Sequence, residues 1–193
     1  MSRTAEIVRN TKETEISLSL CLDGGEVAID TGVGFFDHML TAMFFYAGFG
    51  ANLKCKGDLH VDAHHTVEDT GIVVGQAIRA ALGNKTGIRR FASCYIPMDE
   101  ALSFTALDFS GRAYLKYDAD MPQQTIGAYD ACLTEEFMRA LAYNAGLTLH
   151  IRCEYGRNAH HMTEAMFKAL GSAMKDAVCI VGGGVVSTKG VLA

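Results

Sequence analysis

The polar and apolar positions divide the chain into short alternating runs and longer stretches of helical period. EISLSLCL, residues 15–22, is apolar at every second position, as a strand with one buried face requires. The same alternation predicts strands near residues 4–9 and 26–30, and Asp23-Gly24-Gly25 reads as a hairpin turn ahead of the latter. FFDHMLTAMFFYAGF then reads as a short helix, ANLKCKG as a strand and residues 63–83 as a long helix. In that helix Val67, Gly71, Val74, Ile78 and Ala81 recur at steps of three and four, which makes one stripe to bury.

The second half follows a similar order. ASCYIPM and ALSFTALDFS predict strands, TEEFMRALAYNAG a helix and LTLHIRCEY a strand. Residues 159–181 predict a second long helix, with its stripe at Phe167, Leu170, Met174, Ala177 and Val181. Asp62 and Asn158 stand just before the two long helices, where their side chains can accept unpaired backbone N–H groups. A shift of 96 residues aligns Ala63/Ala159, His64/His160, His65/His161, Glu68/Glu164, Gly75/Gly171 and Ala77/Ala173. The chain therefore reads as an α+β protein, a two-layer unit of strands backed by helices that occurs twice, over about 1–90 and 91–193. No linker separates the halves, so residues 1–193 are expected to pack as a single catalytic domain.

Composition narrows the class. At 49% hydrophobic and 20% charged, with two prolines, the chain is globular and not disordered. A formal charge of −5 argues against a nucleic-acid surface, and no apolar run of about eighteen residues predicts a membrane span. MSRTAEIVRNTKETE lacks the apolar core of a signal peptide. The six cysteines contain no C-x-x-C pair and read as small buried hydrophobes in a reducing cytoplasm.

The chemistry lies in DAHHTVEDT and NAHHMTEA, the first turns of the two long helices. A residue advances about 100° around a helix, so His64 and Glu68 share a face while His65 points to one side of it. Adjacent histidines diverge too far to share one ion easily, yet they suit two neighbouring ions. One H-H-x-x-E is also what a capping carboxylate beside solvated histidines looks like. Two copies at matching positions favour metal, and imidazole with carboxylate suits Mn, Fe or Zn. The histidine spacing is not that of H-E-x-x-H zinc proteases. His38 lies 26 residues before His64, and Glu136 lies 24 before His160, so Glu136 is its counterpart if His38 is a ligand.

GVGFFDHML, DLHVDAHHTVEDTGIVVGQA, RRFASCYIPMDEAL, DFSGR, GLTLHIRCEYGRNAHHMTEAMFKALG and STKGVL resemble the imidazoleglycerol-phosphate dehydratase family over almost the whole chain. The resemblance implies dehydration of imidazole glycerol phosphate to imidazole acetol phosphate in histidine biosynthesis, along an imidazolate and diazafulvene route. It implies two Mn2+ per active site. One ion would take His38, His65, Glu68 and His161, and the other His64, Glu136, His160 and Glu164. Many relatives carry His where this chain has Glu136. Glu164 is the expected base, with Glu68 second. Glu13, His38, His64 and His160 would border the substrate, and Arg90, Arg112, Lys168, Ser187, Thr188 and Lys189 would face its phosphate. The resemblance also implies trimers that build a particle of 24 chains with active sites between subunits.

Other readings stand beside these. Lys168 is four residues from Glu164, and a helix ion pair explains it equally well. VGGGVV at 181–186 lacks nucleotide-loop spacing. His60 and His150 have no repeat partners and read as structural, and Asp99-Glu100 reads as a strand-end turn. The same metals would also suit a two-metal phosphoester hydrolase or a helical metal-storage cage.

Overall fold

The computed structural model describes residues 3–190 and 192. The first half runs β1 (Thr4–Asn10), β2 (Thr14–Cys21), β3 (Val27–Asp30), α1 (Gly34–Ala47), β4 (Gly50–Gly57) and α2 (His64–Leu82). The second runs β5 (Phe91–Met98), β6 (Ala101–Asp108), β7 (Tyr114–Asp118), a small ribbon of β8 (Thr125–Ile126) and β9 (Tyr129–Asp130), α3 (Leu133–Ala145), β10 (Thr148–Tyr155) and α4 (Ala159–Val178). The first sheet has the order β1-β2-β4-β3 and the second β5-β6-β10-β7. In each the last strand is parallel to its neighbour and the other pairings are antiparallel. Apart from the ribbon, the two orders match element for element, as the repeat predicts. Two sheets of this kind also set the chain apart from a helical storage bundle.

The inner faces of the sheets carry Ile16, Leu18 and Leu20 in one half and Leu107, Leu149 and Ile151 in the other, all nearly inaccessible. α2 covers the first sheet and α4 the second, and the halves meet where α2 crosses α3 and α1 crosses α4. Every residue of the predicted α2 stripe is buried. The α4 stripe is buried as far as Ala177, but the helix ends at Val178, so Val181 lies beyond it and is exposed.

Each long helix crosses its partner at an aligned glycine. A Cβ on Gly75 would lie 2.7 Å from the Leu141 carbonyl oxygen, and one on Gly171 would overlap the Met43 carbonyl. Both neighbours are backbone, which cannot swing aside. Gly171→Val is expected to cost about 3 kcal/mol of folding free energy, read as a lower denaturation midpoint. An unchanged midpoint would show that the crossing tolerates a side chain.

Three expectations need correction. Asp23-Gly24-Gly25 does not close a hairpin: β3 pairs with β4, which lies between it and β2. Gly24 (φ 112°) and Gly25 (φ 139°) carry the chain across the end of β4, where a Cβ on Gly25 would stand 3.2 Å from Gly50 Cα. The short hairpin is β1–β2, where Thr11 Oγ1 accepts the N–H groups of Glu13 and Thr14. β7 was not among the predicted strands, because five residues alternating at a sheet edge carry little apolar signal. Of the six cysteines only Cys55 is buried, because the others lie at element ends or where strand burial is partial.

Candidate metal centre and active site

The site begins with the two helix starts. The His64 N–H donates to Asp62 Oδ1 (2.7 Å) and the His160 N–H to Asn158 Oδ1 (2.9 Å), so each half anchors its first turn in the same way. Helical spacing then brings His64 Nε2 to 3.6 Å from Glu68 Oε2 and His160 Nε2 to 3.2 Å from Glu164 Oε2. The α1–α4 crossing adds His38, whose Nε2 is 3.5 Å from the same Glu164 oxygen. Ligand atoms of His38, His160 and Glu164 all lie within 4.8 Å of one another, the one such group of three among the described residues. Phe35 packs edge-on against the His160 ring at 4.8 Å.

Glu164 is nearly buried, and Lys168 Nζ donates to its Oε1 at 2.7 Å. Burial pushes the carboxyl up, but the hydrogen bond and charge of Lys168, with His38, outweigh it and hold Glu164 below the usual carboxylate range. It is therefore an anion. Lys168 also touches Met98 Sδ (3.5 Å), so the ion-pair reading of this lysine describes the chain as it stands.

In the equivalent corner between α2 and α3, Glu136 accepts from Arg139 Nη1 with both oxygens at 3.0 Å. It does not form a group of three with His64 and Glu68. A carboxylate one turn from a guanidinium pairs with it, which a histidine would not do. Neither expected four-ligand set therefore gathers within one chain. His38 stands with His160 and Glu164, not with His65, Glu68 and His161.

His65 and His161 are held by other carboxylates. His65 Nδ1 is 3.0 Å from Asp58 Oδ2, and its Nε2 is 3.8 Å from Glu13 Oε1. His161 Nδ1 is 2.7 Å from Glu100 Oε2, and its Nε2 is 3.5 Å from Asp99 Oδ2. The hydrogen bond to Asp58 raises the pKa of His65, and that to Glu100 raises the pKa of His161. Glu100, which accepts from His161 and from the backbone N–H groups of Asn158 and Arg157, is lowered to about 2. Asp58 is not among the residues the sequence singles out, and Asp99-Glu100 reads there only as a turn. They do form the β5–β6 turn, with Asp99 at φ 48°, but their side chains reach the histidine. The available signal was the acidic spacing in DLHVDAHH.

The expected phosphate residues are spread over three places. Arg90, at φ 82°, grips Asp108 through Nε (2.7 Å) and Nη2 (2.9 Å) and donates Nη1 to the Val186 carbonyl (2.6 Å). It thereby pins the segment carrying half-buried Ser187 and exposed Thr188 and Lys189. Arg112 is exposed, and its backbone is held by Ser110 and Thr148. Lys168 sits with Glu164. His150 lies on the outer face of the second sheet against Tyr114 (5.7 Å).

The fold and these clusters define a class: duplicated α+β proteins with imidazole and carboxylate groups at the starts of equivalent helices. A family model described as imidazoleglycerol-phosphate dehydratase matches residues 31–174. Relatives of that name from Acetivibrio thermocellus and Maridesulfovibrio salexigens are 54% and 53% identical, with 100% and 98% of both chains covered respectively. The crystal structure of imidazoleglycerol-phosphate dehydratase from Staphylococcus aureus has a TM-score of 0.83 at 38% identity, covering 94% of this chain and 100% of that one. The structure from Pyrococcus furiosus, in complex with (S)-C348, has a TM-score of 0.85 at 39% identity, covering 96% and 100%. The chain belongs to the imidazoleglycerol-phosphate dehydratase family and is an enzyme of this hydro-lyase type.

Proposed function

We propose that the chain converts D-erythro-imidazole glycerol phosphate to imidazole acetol phosphate and water, a cytoplasmic step of histidine biosynthesis, with two Mn2+ per active site. The observation that carries this is the close grouping of His38, His160 and Glu164 in a chain of this family. The donor set fits a first-row ion. Two neighbouring ligands on one octahedral ion stand roughly 3 Å apart for bonds of about 2.1 Å. The N–O gaps of 3.2–3.6 Å at the two helix starts are near that edge length.

One ion is assigned to His38, His65, Glu68 and His161, the other to His64, Glu136, His160 and Glu164. Each set takes two residues from the α1–α4 corner and two from the α2–α3 corner. A second copy facing its α2–α3 corner to this chain's α1–α4 corner would complete both sets, which is the reason to read the active site as lying between subunits. Glu136 would leave Arg139 to join. Assembly into trimers and a particle of 24 chains belongs to the same reading. Exposed Phe91, Tyr95 and Tyr114 give the second sheet an apolar outer face suited to another copy, whereas Ser17, Ser19, Asn52 and Lys54 make the equivalent face polar. No described helix is long and apolar enough to cross a membrane.

Bound Mn2+ would supply Lewis acidity and a template for the substrate's imidazole ring. Glu164, already anionic, takes the proton from the weakly acidic carbon, while hydroxide leaves from the carbon beside the ring. The resulting enol tautomerises to the ketone. Glu68 is the second candidate for the base. Arg90, Arg112, Lys168, Ser187, Thr188 and Lys189 bind the phosphate, and Glu13 borders the substrate beside His65. Movement of Lys168 to the phosphate would release Glu164 Oε1 to act. Incubating the purified protein with Mn2+ and imidazole glycerol phosphate should yield the acetol phosphate. Release of inorganic phosphate instead would sink this proposal in favour of a two-metal hydrolase.

A further inference from the structure

His65 and His161, the second histidines of the two motifs, share an arrangement that duplication does not explain. In each, Nδ1 meets a carboxylate: Asp58 at 3.0 Å for His65 and Glu100 at 2.7 Å for His161. An ionised carboxylate can only accept, so in the neutral ring Nδ1 carries the hydrogen and Nε2 keeps its lone pair. That is the form in which an imidazole ligates through Nε2, and a carboxylate behind it also raises its basicity.

The two carboxylates come from non-equivalent places. Asp58 directly follows β4. Glu100 sits in the β5–β6 turn, whose counterpart is the β1–β2 turn bearing Glu13. Two different positions thus supply the same contact to matching histidines. What is common is the requirement of the ring, not the inherited position.

We propose that Asp58 and Glu100 are positioning residues that hold His65 and His161 in the tautomer with the lone pair on Nε2, and thereby set the affinity for one of the two metal ions. This rests on the ligand assignment above, in which both histidines serve the same ion.

The contacts suggest two different substitutions. Glu100 Oε1 accepts the N–H groups of Arg157 (3.1 Å) and Asn158 (2.8 Å), while Oε2 takes His161. Glu100→Gln keeps the oxygen for the backbone and turns an NH2 group towards Nδ1, which favours the tautomer protonated on Nε2. Asp58 accepts through its side chain from His65 alone among the described residues, so Asp58→Ala removes the acceptor and spares the backbone.

Metal-free wild type and both variants would be titrated with Mn2+ by calorimetry and by the electron paramagnetic resonance of free Mn2+. Wild type is expected to take two ions per chain. Each variant should keep one at wild-type affinity and bind the other about 10- to 100-fold more weakly. The double variant should weaken that same ion and leave its companion unchanged. Wild-type affinity for both ions in the variants overturns the proposal, and equal weakening of both ions assigns the carboxylates to general structure instead. If Glu100→Gln melts much below wild type, Asp58→Ala alone decides. Failure of wild type to take up Mn2+ overturns the metal reading itself, an outcome separate from the other two.

Discussion

His160→Ala is expected to abolish measurable turnover and to remove one of the two manganese ions from each active site. His160 Nε2 stands 3.2 Å from Glu164 Oε2, in the one imidazole–carboxylate group of three among the described residues. Its side chain is 41% exposed, so truncation opens no buried cavity and should leave folding nearly unchanged. The loss therefore reads on the site. A metal that contributes several kcal/mol to the transition state corresponds to a rate loss on the order of 10³-fold or more. His64→Ala should behave in the same way, because the assignment places it on the same ion from the other corner. Metal analysis of the two proteins decides the point: two ions per chain in either variant would refute the ligand sets. If the ions bridge copies, both variants and chelator-treated wild type should also sediment as smaller assemblies.

Glu164→Gln is expected to lower kcat by about 10²- to 10⁴-fold, the usual contribution of a placed general base, before any loss of metal is counted. This substitution also disturbs the fold, in a separable way. Glu164 and Lys168 pair at 2.7 Å with side chains only 8% and 17% accessible, so glutamine leaves an ammonium poorly solvated and unpaired. Adding Lys168→Met should restore much of the stability, because the charge goes and the thioether can pack beside Met98 and Tyr46. It should not restore turnover. Recovery of both in the double variant would mean that Glu164 acts through folding and not as the base. Glu68→Gln, at a half-buried carboxylate beside His64, should cost less than Glu164→Gln, as the order of the two bases requires. The pair also has a pH signature. Burial raises the Glu164 carboxyl and Lys168 more than offsets it, so its folded pKa lies below its unfolded one. Its stabilisation is present above the ordinary carboxylate range and disappears as the pH falls through the lowered value.

Much of this molecule is legible in local pattern. The long helices, their buried stripes and the anchoring of their first turns by Asp62 and Asn158 depend on neighbours within a few positions, and those neighbours are in the sequence. So are the pairs His64–Glu68 and His160–Glu164, which follow from helical geometry. The duplication is readable because both motifs keep their spacing from Asp62 and Asn158 and from Gly75 and Gly171. The Asp23-Gly24-Gly25 turn is not legible in the same way, because a local bend does not reveal whether a third strand will lie between the two it joins. The pairing of Glu136 with Arg139 is within reach of spacing alone, since the two stand three residues apart on one helix.

The sequence by itself determined the repeated helices, the residue types of the candidate site and the family. Only the tertiary structure decided which of those residues meet. α1 packs on α4 at Gly171, and that crossing places His38 beside Glu164 from 126 positions away in the chain. Asp58 and Glu100 likewise reach their histidines through a loop and a turn whose paths depend on the finished sheets. Contacts within a few residues follow from backbone geometry, whereas contacts between elements exist only once both are packed around a common core. The two copies of His-His-x-x-Glu thus specified the chemistry of each half, and packing specified how the halves divide it.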